Sequence, residues 1–209
     1  MGQILKFPVR AAKFGHKRVR NRCRTEENPA QLHLFPQPTA QVLPFSPDLS
    51  HFEQALLLDE RGDARAGDFY ARAIAAQDCV ADAYCNLGII ESKQGRVAKA
   101  FDCFTNCLKN DPRHFEAHYN LGNMYFEVND FRLAQVHYEI ATEVDPTFPN
   151  AFFNLALALS INNDFNGAIA ALTKYQEIVP PEEARHADEL LVNLKKSLLA
   201  TKGPRSGFP

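Results

Sequence analysis

Asn86-Leu87-Gly88, Asn120-Leu121-Gly122 and Asn154-Leu155-Ala156 are one step taken three times, at a spacing of 34 residues. The positions downstream keep the same phase. Ala100, Ala134 and Ala168 align, as do Phe104, Tyr138 and Leu172, then Cys107, Ala141 and Tyr175, then Pro112, Pro146 and Pro180. A fixed period of this length, with small, aromatic and proline positions in register, is the signature of stacked helix–turn–helix units. Gly88, Gly122 and Ala156 lack bulk where two helices of a unit must approach closely, and the three alanines answer them from the second helix. Phe104, Tyr138 and Leu172 fill the space between hairpins. Gly95, Asn129 and Asn163 fall at the turn between the helices, where a left-handed backbone ends the first helix. The prolines cannot continue the second helix and mark the passage to the next unit.

These residues resemble the tetratricopeptide repeat, whose units pair two antiparallel helices. The resemblance implies an all-α, right-handed helix–turn–helix solenoid that acts by holding partners. A repeat scaffold fixes an architecture and leaves the partner unnamed. One period upstream, Ser46-Pro47-Asp48 reads as a helix start, and Ala66, Tyr70 and Ala73 fall in phase as a second helix. Gly62 is displaced by one position and Leu-Gly is missing, so residues 46–80 are expected to form a degenerate first repeat. Repeats at 81–114, 115–148 and 149–180 follow. Ala187, Leu190, Leu191, Leu194 and Leu198 then make an apolar stripe at helical spacing, which predicts a capping helix over 181–200 and a short tail over 201–209.

The formal net charge of −2 hides a division. Residues 46–200 hold 23 acidic and 13 basic side chains, whereas no acid precedes Glu26. The basic arm, residues 1–45, includes Lys13, Lys17, Arg18, Arg20, Arg22 and Arg24, and its later part is a Pro- and Gln-rich linker expected to be largely disordered. Three readings of the arm stand together: it binds nucleic acid or an anionic surface, it rests on the acidic array, or it is simply solvated. Met1-Gly2 opens like a myristoylation signal, but Lys6 stands where Ser or Thr is needed. Gln31, Leu32, Leu34 and Phe35 resemble the pentapeptide that docks bacterial proteins on the replication sliding clamp, with His33 departing from it.

Five cysteines, an odd number without metal-ligand spacing, argue for a reducing compartment, and the expected location is cytoplasmic. Cys103 and Cys107 read as small buried hydrophobes. Cys79 with Cys85 makes no zinc half-site, and His114 with His118 lacks further ligands, so no metal and no cofactor is expected. There is no phosphate loop and no nucleophile with its base at a recognisable spacing, so the chain is not expected to be an enzyme. No apolar run is long enough to span a bilayer.

In tetratricopeptide arrays the first helix of each repeat lines a concave groove, and its sixth position is here Asn86, Asn120 and Asn154. The row resembles the peptide-binding superhelix of O-linked N-acetylglucosamine transferase, in which stacked amides hold the backbone of an extended peptide. An amide suits that task because one side chain serves both a main-chain N–H and a C=O. Cys85, Tyr119, Phe153, Ile89, Asn123, Leu157, Phe126 and Ile161 are the neighbouring positions. They are apolar, aromatic and amide-bearing, which departs from the cationic clamp that binds chaperone tails. The leading expectation is a non-catalytic scaffold for an extended peptide or protein segment. The runner-up is a nucleic-acid- or replisome-associated adaptor acting through the arm and Gln31–Phe35. The arm itself, extended and opposite in charge, is a third candidate for the groove.

Overall fold

The computed structural model describes Val19 and residues 49–201. The basic arm apart from Val19, the Gln31, Leu32, Leu34 and Phe35 motif, Ser46-Pro47-Asp48 and the tail from Lys202 lie outside the described residues. Those described from Leu49 onward form helices joined by short turns, with no strand among them. By contact the chain divides into two compact units.

The first unit, Arg18–Pro112, contains α1 (His51–Glu60), α2 (Ala66–Ala75), α3 (Val80–Lys93) and α4 (Val97–Asn110). Helix α1 opens at His51, later than the Ser-Pro signal suggests, because Ser50 and Glu53 close a reciprocal capping box. The Ser50 hydroxyl accepts from the Glu53 N–H at 3.2 Å, and the Glu53 carboxylate accepts from the Ser50 N–H at 3.0 Å. Two orphan donors are satisfied at once. Phe52, Ala55, Ala66, Tyr70, Ala73 and Ala83 then form a small core, its alanines letting the helix backbones approach. The α2–α3 link has no proline. It reverses through Gln77 (φ 57°) and Cys79 (φ 47°), held by Asp78, whose carboxylate accepts from the Phe52 N–H at 2.8 Å. Cys79 is disulfide-bonded, whereas Cys85, Cys103 and Cys107 are free thiols. That bond departs from the premise of uniformly reduced cysteines.

The second unit contains α5 (Phe115–Glu127), α6 (Phe131–Val144), α7 (Pro149–Ile161), α8 (Phe165–Ile178) and α9 (Pro181–Thr201). Asn129 (φ 63°) and Asn163 (φ 66°) hold the left-handed turns, as Gly95 (φ 73°) does in the first unit. Each asparagine is followed by a cap: the Asp130 and Asp164 carboxylates accept from the Leu133 and Gly167 N–H groups. Such a cap stabilises a helix by about 1 kcal/mol. Pro149 and Pro181 begin α7 and α9, where a missing N–H costs nothing. Ala187, Leu191 and Leu194 of α9 are buried in the core that also holds Ala168, Leu172 and Tyr175 of α8. The Gln176 amide donates to the Asp188 carboxylate at 2.7 Å along the same seam. Helix α9 thus packs along α8 at the end of the α7–α8 hairpin, and its outer face keeps Val192 and Leu199 exposed.

Close approach of the paired helices is measurable. A Cβ built on Gly88 would stand 2.9 Å from the Phe104 ring, and one on Gly122 would stand 2.5 Å from the Tyr138 ring. The third repeat has Ala156 at this position and the smaller Leu172 in place of the ring, both fully buried.

Candidate peptide-binding positions

In the first unit, Asn86 lies on α3 with no exposed surface, one turn after the buried Asp82. Both ends of its amide engage one backbone residue. The Val19 N–H donates to Asn86 Oδ1 at 3.0 Å, and Asn86 Nδ2 donates to the Val19 carbonyl at 3.2 Å. Val19 is 1% exposed. One side chain therefore satisfies both main-chain groups of a residue 67 positions away. The flanking Cys85 and Ile89 are buried as well.

The second unit carries an amide–phenol cluster between α5, α6 and α7. The Tyr138 hydroxyl donates to Asn123 Oδ1 at 2.8 Å, and Asn154 Nδ2 donates to the same oxygen at 3.1 Å. A longer contact of 3.4 Å joins Asn154 Nδ2 to the Tyr119 hydroxyl. Burial pushes the Tyr119 phenol up to about 12, opposed by its hydrogen bonds to Asn123 and Asn154. Burial, with the neighbouring Tyr119, also drives the Tyr138 phenol upward. Both hydroxyls stay protonated. Two atoms of the cluster, Asn123 Nδ2 and Asn154 Oδ1, are buried and have no hydrogen-bond partner among the described residues. They are one donor and one acceptor, the pair a peptide unit complements, and leaving such groups unpaired costs about 1–3 kcal/mol each.

The remaining groove candidates divide. Asn120 is fully buried on α5. Phe153 and Leu157 are buried, with the Phe153 ring 5.3 Å from that of Tyr175. Phe126 is only partly buried and meets Phe131 edge-on at 5.0 Å. His114 is a capping residue: its Nδ1 accepts from the Ala117 N–H at 3.2 Å. His118 faces His137 with Nδ1 atoms 3.0 Å apart, and Tyr125 stacks on His137 at 5.3 Å. Burial, followed by the His118 charge, lowers His137 to about 4. The sequence named Tyr119, Asn123 and Asn154 as separate groove positions; their bonding to one another, and Val19 as the partner of Asn86, came only with the structure. The i,i+4 spacing of Tyr119 and Asn123 was the one signal for the cluster.

Antiparallel helix pairs with small residues at the crossing and left-handed turns define a helical-repeat protein of the solenoid class. The tetratricopeptide repeat model matches residues 81–114 and 115–148, and a second tetratricopeptide repeat model matches 137–170. Residues 81–170 are thus tetratricopeptide repeats. No curated protein matches the chain. Among solved structures it is similar to YrrB, described as a TPR protein with an unusual peptide-binding site. That likeness has 22% identity and a TM-score of 0.56, over 62% of this chain and 68% of that one. It is also similar to the first TPR of Spaghetti (RPAP3) bound to an HSP90 peptide, with 21% identity and a TM-score of 0.51, over 57% and 93%. MamA from Desulfovibrio magneticus RS-1 shares 18% identity and a TM-score of 0.56, over 74% and 96%. Among the described residues no helix is long and apolar enough to cross a membrane.

Proposed function

We propose that this chain is a non-catalytic scaffold that binds an extended peptide or protein segment along the first helices of its repeats, by main-chain recognition through buried amides. One observation carries the reading: Asn86 holds both the N–H and the C=O of a single backbone residue. Solved TPR structures with a bound peptide or a peptide-binding site support it at the level of fold. Because backbone hydrogen bonds are blind to side chains, sequence preference would come from the apolar neighbours within each unit, Cys85 and Ile89 in the first and Tyr119, Phe126, Phe153 and Leu157 in the second.

The test is selection of linear peptides from a random library on the full chain, followed by affinity measurement on Asn86→Ala. Two hydrogen bonds of about 0.5–1.5 kcal/mol each predict a loss of roughly 5- to 150-fold. Loss of the two Val19 hydrogen bonds should lower the melt, with the helical circular dichroism signal retained. Selected peptides that bind the folded Asn86→Ala chain with wild-type affinity would remove the reading. Asn154→Ala is a poorer probe, because it also strips Asn123 Oδ1 of a donor inside a packed cluster.

A further inference from the structure

We infer that the backbone at Val19 is an intramolecular pseudo-ligand, so that the Asn86 position is self-occupied and an external segment gains it by displacement. The inference rests on the peptide-scaffold reading and adds the occupant. Both hydrogen bonds of the clasp go to Val19, and both partners are buried almost completely. A side-chain amide aligned with the N–H and C=O of one residue is the geometry of ligand recognition. Charge favours the same occupant. In the sequence Val19 stands between Arg18 and Arg20, in a stretch with no acid before Glu26, whereas residues 46–200 carry 23 acids against 13 bases. Asp82, one turn from Asn86, adds an acidic residue to the same helix. Covalent linkage also gives the segment an effective concentration on the order of millimolar, which an untethered copy at cellular concentration does not reach. The external ligand this site fits is therefore an extended segment with a compact aliphatic residue flanked by cationic ones.

The test uses the full chain. Amide hydrogen exchange at Val19 should be strongly slowed in the wild type and restored to the rate of an open chain in Asn86→Ala, with α3 and α4 protection retained. A fluorescent peptide of residues 14–24 should bind Val19→Pro, which lacks the donor N–H, at least tenfold more tightly than it binds the wild type. Val19→Asp, which puts a charge at the buried position, should behave alike. An unprotected Val19 amide in the wild type would overturn the inference. So would equal peptide binding by the wild type and both folded variants. Protection of Val19 that depends on concentration would assign the clasp to a second copy and overturn the intramolecular form. The scaffold reading is scored in a Val19→Pro background, where the clasp does not compete: library peptides that lose affinity there on adding Asn86→Ala uphold it whichever way the Val19 exchange results fall, so the two claims fail separately.

Discussion

Substituting Gly122 by Ala sets two effects of opposite sign against each other within one helix. In an open helix the change is favourable by about 1 kcal/mol, because alanine loses less backbone entropy than glycine. Here the new methyl would lie 2.5 Å and 2.6 Å from Cε1 and Cδ1 of Tyr138. That ring is fully buried in the core, and its hydroxyl is bonded to Asn123. It cannot withdraw without giving up the hydrogen bond. Overpacking of this kind costs about 1–3 kcal/mol, and losing a buried hydrogen bond adds about 0.5–1.5 kcal/mol. The balance is a net destabilisation of about 1–3 kcal/mol. Gly67 on α2 is the internal control: its nearest neighbours would be Leu87 at 3.7 Å and Ile90 at 4.0 Å, ordinary contact distances. Gly67→Ala should therefore stabilise by about 0.5–1 kcal/mol. Urea denaturation followed by circular dichroism reads both, as midpoint shifts in opposite directions at unchanged slope. A Gly122→Ala midpoint at or above the wild type would refute the close-approach account. The chain supports it at the equivalent position of the third repeat, where Ala156 is accompanied by Leu172 and no aromatic ring.

Leu194, fully buried where α9 packs along α8, should cost about 2–5 kcal/mol on conversion to Ala, whereas exposed Leu199→Ala should change the melt little; equal effects would remove the packing role of α9. The His118–His137 pair predicts acid sensitivity. His137 is lowered from 6.5 to about 4 by burial, so between those values the unfolded chain binds a proton that the fold refuses. Stability therefore falls as pH drops through that window, by about 1–3 kcal/mol for a partly exposed ring. His137→Gln should flatten that part of the pH profile of thermal melts, and an identical profile for the variant would contradict the assignment.

The sequence by itself determined the fold. Period, small crossing residues, left-handed Gly95, Asn129 and Asn163, and the apolar stripe of α9 are local or nearest-neighbour constraints. Each is written in the residues that obey it, and the structure obeys all of them. It also placed amides at the sixth position of the three clear repeats, because that position recurs with the period. It could not decide what those amides do. Asn86 and Asn154 are the same letter in the same register, yet one clasps Val19 and the other joins a phenol–amide cluster. A hydrogen bond depends on angles and on which distant atoms come within about 3 Å. Val19 reaches Asn86 across 67 residues and Asn154 reaches Asn123 across 31. Periodicity carries no information about contacts of that separation, and only the tertiary structure brings those atoms together.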